Sequence, residues 1–199
     1  QPIEQIAVLC QMNRARLIVD AAQTAGVLPL YPEEWGVDLC AMPGHKGLLG
    51  PQGTGVLYIR PGLILTPIKQ GGTGTSSELP ERYESGTMNT PGIAGLGQGT
   101  RFCLHHRAEI RGQELLLTEL LIGGLLDVPH VQVYGALDAI SRVGTLSFNL
   151  GQHPSGEIAD ALDQSGLCVR AGLHCAPMAH CSGGTLETGT VRVSFSAFN

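Results

Sequence analysis

Asp20 and Gln23, in Val19-Asp20-Ala21-Ala22-Gln23, set a carboxylate and an amide three residues apart. Lys46 follows in the glycine-rich turn Gly44-His45-Lys46-Gly47, and Lys69 is the only other lysine in the chain. An amine of this kind can bond a carbonyl carbon, and a carboxylate can keep a heteroaromatic nitrogen protonated. Farther on, Arg170-Ala171-Gly172-Leu173-His174-Cys175-Ala176-Pro177 puts a thiol near an arginine and a histidine, cations that favour the nucleophilic thiolate. Taken singly, each feature has an ordinary explanation. An aspartate closing a strand caps the next helix, a lysine in a turn is solvated, and cysteines are commonly inert core residues, as expected for Cys10, Cys40 and Cys103. Gly44-His45-Lys46 is not a phosphate loop, because no Ser or Thr follows a Gly-Lys pair at the required spacing. His174-Cys175 and His180-Cys181 supply four soft ligands within eight residues, but adjacent ligands in doublets fit tetrahedral zinc poorly.

The elements that must hold these residues are short. Apolar runs at Leu17–Val19, Val37–Met42 and Val56–Ile59 read as strands, and Ala21–Ala25 is helix-compatible with Gly26 as its stop. Strands joined by short connections predict an α/β architecture with a mostly parallel sheet. Ligands then sit beyond the carboxyl ends of the strands, where Asp20 and Lys46 fall. Gly71–Gly92 reads as a long polar loop, and Ile93–Leu126 as one helix or two with weak points at Gly112 and Gly123-Gly124. Strands near Val131–Tyr134, Thr145–Asn149, Leu167–Arg170 and Val191–Phe195, with a helix near Ser155–Gln164, read as a second and smaller α/β domain. The expected division is 1–110 and 111–199. Neither end resembles a natural boundary, so the chain reads as part of a longer protein.

Composition narrows the function classes. Apolar residues make up 43% of the 199 and charged ones only 15%, which favours a buried core over disorder. A net charge of −5 gives no basic footprint for nucleic acid. The greasiest stretch, Leu115–Val128, carries Glu119 and Asp127 and is too short to span a bilayer. Six cysteines without a C-x-x-C pair, and no signal-peptide pattern, predict a reduced cytoplasmic protein that binds neither nucleic acid nor membrane.

Pyridoxal phosphate (PLP) chemistry needs a lysine, an anion at the pyridine nitrogen and donors for the phosphate; Lys46 and Asp20 supply the first two, and Gln23 could reach the ring hydroxyl. Val19-Asp20-Ala21-Ala22-Gln23 followed by Gly44-His45-Lys46-Gly47-Leu48-Leu49-Gly50-Pro51 resembles the class V aminotransferase family, and within it the cysteine desulfurase and selenocysteine lyase group. The resemblance continues through Arg82–Thr90 and Arg170–Pro177 to Val191-Arg192-Val193-Ser194, in family order over nearly the whole chain.

The resemblance implies the C-terminal part of a PLP fold-type-I large domain plus a smaller α/β domain. It implies that Lys46 bonds the cofactor, Asp20 faces the ring nitrogen, Gln23 the ring oxygen and His45 the phosphate. Thr87 would reach the phosphate bound by the opposite subunit of a homodimer. Arg192 would grip the substrate carboxylate, a task suited to a guanidinium fork. Cys175 would take sulfur from L-cysteine as a persulfide and pass it to a protein or thiol acceptor, while Cys168 and Cys181 can trap that persulfide or form a disulfide.

Two departures stand out. Pro43 occupies a position where the family has a phosphate-binding hydroxyl, and the family's phosphate-cradling loop and ring-stacking residue have no counterpart here. This chain on its own is therefore expected to bind little or no PLP. The competing expectations are selenocysteine lyase, another class V aminotransferase or β-lyase, and a non-catalytic module without cofactor.

Overall fold

The computed structural model describes residues 1–72 and 78–199, so residues 73–77 of the expected polar loop lie outside the described residues. Two compact units emerge, Gln1–Arg107 and Ala108–Asn199.

The first unit opens with helix α1 (Ile3–Met12), followed by strands β1 (Ile18–Asp20), β2 (Leu39–Pro43) and β3 (Gly55–Ile59) in the order β1-β2-β3. β1 pairs with β2 in parallel, Asp20 opposite Ala41, as a mostly parallel sheet requires. β3 instead returns antiparallel to β2, with Pro43 opposite Gly55. The connection 44–54 holds no helix, and a parallel return needs a crossover of a dozen or more residues. The core gathers Val19, Ala21, Ala25, Val37, Cys40, Leu48 and Leu96. Ala21–Ala25 does not form a helix. It folds into hydrogen-bonded turns, with Ala25 N donating to Ala21 O at 2.9 Å, and Gly26 ends them in the left-handed region at φ +87°.

At the amino end of β2, Asp38 is 3% exposed. Its Oδ1 accepts from Arg16 at 2.8 Å and meets Arg60 at 2.9 Å, while Oδ2 accepts from Leu17 N at 2.8 Å. A buried carboxylate is tolerable only when paired and hydrogen-bonded in this way.

Helix α2 (Thr90–Leu126) starts before the expected loop end at Gly92 and breaks at His106 (φ −107°, ψ 15°), one residue before the first unit closes. The expected weak points at Gly112 and Gly123-Gly124 stay helical. Each glycine costs about 1 kcal/mol relative to alanine, but Ile110, Glu114, Thr118 and Ile122 recur every four residues on one buried face and hold the helix.

In the second unit, β4 (Val131–Tyr134), β5 (Thr145–Leu150), β6 (Arg170–Gly172) and β7 (Thr190–Ser194) form an antiparallel sheet in the order β4-β5-β7-β6. Helix α3 (Ser155–Gln164) contributes Ile158 and Leu162 to a core built on Leu146, Phe148, Ile122 and Val191. The sequence pattern does not predict the short helix α4 (Pro177–Ser182), because Pro177 reads as a loop marker. Proline is tolerated at the first helical position, where its missing N–H would have no intrahelical partner.

Candidate active site

The first half of the site follows from strand direction. Because β1 and β2 run parallel, both carboxyl ends open on one edge, and Ala21 N still donates to Ala41 O at 2.9 Å just past Asp20. Asp20 is exposed, and its Oδ1 accepts from Ala22 N at 2.8 Å, so it also serves the ordinary role of fastening the adjoining turn. Gln23 is exposed on that turn.

β2 continues to Pro43 and delivers Gly44-His45-Lys46. The loop is closed internally, since Gly50 N donates to Gly44 O at 2.7 Å and Leu49 N to Lys46 O at 2.9 Å. Leu48 anchors it in the core, and the Cys103 thiol donates to Gly47 O at 3.1 Å. His45 and Lys46 remain exposed on this fixed loop. The two loops touch directly, because a Cβ on Gly26 would overlap the carbonyl oxygen of Gly47. The structure thus brings Asp20 and Gln23 onto a turn packed against the loop that carries Lys46. Thr87 is exposed in the segment leading into α2, where the nearby Ser85 hydroxyl donates to Gly71 O at 2.8 Å.

The second unit gathers the remaining candidates. Arg192 on β7 stands opposite Arg170 on β6 and Ser147 on β5. The Arg192 Nε is buried and makes no hydrogen bond among the described residues. Cys175 is exposed, and both it (φ +61°) and His174 (φ +51°) lie in the left-handed region, which costs L-residues about 1–2 kcal/mol each. The His174 Nε2 lies 2.9 Å from Thr190 O. A carbonyl only accepts, so neutral His174 carries its proton on Nε2 and leaves Nδ1 as an acceptor.

Burial holds the His174 pKa below the usual histidine range, and the charges of Arg192, His180 and Arg170 lower it further against the opposing Thr190 hydrogen bond. This corrects the expectation that His174 would help as a cation to form the Cys175 thiolate. A neutral His174 acts instead as a hydrogen-bonding group, and the fixed positive charge near this turn is arginine. By contrast, burial raises the thiol pKa of both Cys40 and Cys103, with the Asp20 charge adding to the effect on Cys40. Among the described residues, no three His, Cys, Asp or Glu side chains gather as a metal-holding group. Sequence reasoning missed the contact between His174 and His180, whose rings lie 5.8 Å apart, although the repeated His-Cys doublet was its visible trace.

PLP fits the groups present in part. An exposed amine, an exposed carboxylate and an amide stand on two mutually packed loops, while Pro43 brings no hydroxyl to the phosphate. No described helix is long and apolar enough to cross a membrane.

The family model for class V aminotransferases matches residues 1–199. A probable cysteine desulfurase of Methanothermobacter thermautotrophicus is 34% identical over 216 residues, which cover 100% of this chain and 53% of that protein. A cysteine desulfurase of Escherichia coli O127:H6 is 34% identical over 191 residues, covering 88% of this chain and 45% of its own. The chain thus spans about half the length of the curated relatives it matches. The apo structure of a cysteine desulfurase from Thermococcus onnurineus NA1 superposes with a TM-score of 0.85 at 33% identity, over 100% of this chain and 52% of that one. The E. coli cysteine desulfurase CsdA gives 0.86 at 25%, over 100% and 51%.

Proposed function

This chain belongs to the class V aminotransferase family, and from that premise we propose that it forms part of a PLP-dependent cysteine desulfurase converting L-cysteine to L-alanine. The observation that carries this reading is Cys175, an exposed thiol on a strained turn whose neighbour His174 is tied to the strand bearing Arg192. An inert core cysteine has neither the exposure nor the strain.

In this reading Lys46 holds the cofactor, with Asp20 at the ring nitrogen, Gln23 at the ring oxygen and His45 at the phosphate. PLP, when bound, supplies an electron sink for the substrate α-carbon. Lys46 moves the proton at that carbon, and the Arg192 fork holds the substrate carboxylate. The Cys175 thiolate attacks the substrate sulfur as the carbon–sulfur bond breaks. The electron pair left on carbon takes a proton, so L-cysteine and the Cys175 thiol become L-alanine and a Cys175 persulfide. In this reading Thr87 supplies a phosphate contact across the subunits of a homodimer, and a thiol or protein accepts the sulfur. Six free cysteines suit the reducing cytoplasm.

The test uses the holoenzyme. Lys46→Ala is expected to abolish the visible cofactor band and borohydride trapping, and Cys175→Ser to abolish sulfide release from cysteine while keeping that band. Undiminished sulfide release by Cys175→Ser would overturn the desulfurase assignment.

A further inference from the structure

Three successive carbonyls lead into the strand that carries Arg192, and a side chain from a different element reaches each of them. Thr188 O accepts from the Ser155 hydroxyl at 2.7 Å, Gly189 O from the Asn149 amide at 2.9 Å, and Thr190 O from the His174 Nε2 at 2.9 Å. Asn149 on β5 and Ser155 on α3 are 4% and 3% exposed, so their bonds are shielded from water.

Ser155 makes a second long-range bond. Gly172 N, at the end of β6, donates to the Ser155 Oγ at 3.3 Å. One hydroxyl thus accepts from the strand that delivers Cys175 and donates to the segment that delivers Arg192. A serine opening a helix ordinarily caps it, but Pro154 holds the cap position of α3 and no side-chain cap bond forms. The hydroxyl instead serves residues 17 and 33 positions away. Packing at this point is close. A Cβ on Gly189 would lie 2.6 Å from the Ser155 Oγ and 2.9 Å from the Gly172 Cα, so the segments meet where only glycine fits.

The turn that carries Cys175 is therefore pinned at two points, Gly172 N ahead of it and the His174 ring within it. Resting on the assignment of a persulfide to Cys175, we propose that Ser155 is a positioning residue for sulfur transfer, its hydroxyl fixing the Cys175 turn relative to the strand of Arg192. It is buried and acts through Gly172, not on the substrate. In Ser155→Ala the backbone N of residue 155 keeps its 3.0 Å bond to Thr188 O, so the segment before β7 stays tethered. The loss falls on Gly172 N and on the turn that follows it.

The holoenzyme and its Ser155→Ala variant are compared by two readouts. Amide hydrogen exchange in the peptide 170–176 is expected to quicken about tenfold in the variant, while that of 188–192 keeps its wild-type rate. At saturating L-cysteine, kcat falls about tenfold with KM unchanged, because thiolate attack tolerates misplacement poorly. L-Cysteine sulfinate is the control substrate. Its carbon–sulfur bond breaks with the electron pair left on carbon, which takes a proton, and sulfur departs as sulfur dioxide without meeting a thiol. Its turnover is expected to stay at the wild-type value, which also shows that the variant is folded. Ser155→Cys retains the side-chain volume more closely with a weaker donor and acceptor, and is expected to lie between the two in exchange and in kcat. Equal losses with both substrates would reduce Ser155 to a structural residue, and unchanged exchange at 170–176 or unchanged L-cysteine turnover would remove it from the support of the turn. Each of these results overturns the proposal. Sulfide release from L-cysteine that survives Cys175→Ser would instead sink the desulfurase assignment beneath it.

Discussion

Gly26 and Gly47 meet backbone to backbone, so the turn after β1 and the loop after β2 behave as one support for Asp20, Gln23 and Lys46. Gly26→Ala therefore meets two penalties, a left-handed φ of +87° and overlap with the Gly47 carbonyl. Gly62 has a similar φ of +83° with nothing within 4 Å of an added Cβ. Gly62→Ala is expected to cost about 1 kcal/mol and Gly26→Ala about 2–4 kcal/mol. Urea unfolding of the pair isolates the packing term, and equal midpoints would show that the loops do not press on one another.

Much of this support was legible in the sequence, for identifiable reasons. The apolar runs ending at Asp20 and Pro43 marked the strand ends, and β4 and α3 fell where patterning put them because each buries one periodic face. The break at His106 carried no glycine or proline signal, and Ala21–Ala25 was helix-compatible until packing on Gly47 required a turn. Asp38 escaped notice because its partner Arg16 lies 22 residues away, a contact that pairing of β1 with β2 creates. The His174–His180 contact likewise depends on α4, a helix that begins at a proline.

Asp38 sets an acid limit on the first unit. Burial alone would raise its pKa, but the Leu17 N–H, the Arg16 hydrogen bond and the charges of Arg60 and Arg16 together hold it below the usual aspartate value. A depressed folded-state pKa means stability that is present above the unfolded pKa and lost as pH falls through the folded one. Asp38→Asn keeps the shape but weakens the ion pairs with two solvent-exposed arginines, and is expected to cost about 1–2 kcal/mol at neutral pH. The variant should also lose part of the acid dependence of its urea midpoint, and an unchanged dependence would remove Asp38 from that role.

His174 acts in a higher pH window. Its folded pKa is lowered, so between the ordinary value of 6.5 and the folded value the unfolded chain binds more protons. Stability is therefore expected to fall as pH drops below about 6.5. His174→Gln keeps a donor for Thr190 O but removes the titration, and its unfolding midpoint should vary less between pH 7 and 5 than the wild type's. An unaltered slope would place the dependence on another group.

Arg192 separates binding from chemistry. Arg170 stands opposite it across β6 and β7, so an anion docking on the guanidinium would meet two positive charges. Lysine keeps the charge of Arg192 but lacks the planar fork. If the substrate carboxylate docks on that fork, Arg192→Lys raises KM for L-cysteine about ten- to a hundredfold, the loss of one charge-assisted hydrogen bond. Persulfide formation at saturating cysteine should then stay close to the wild-type rate, because Lys46 and Cys175 are untouched. A fall in kcat with KM unchanged would mean that Arg192 acts on the transition state or on the position of Cys175, and the carboxylate would need a different anchor.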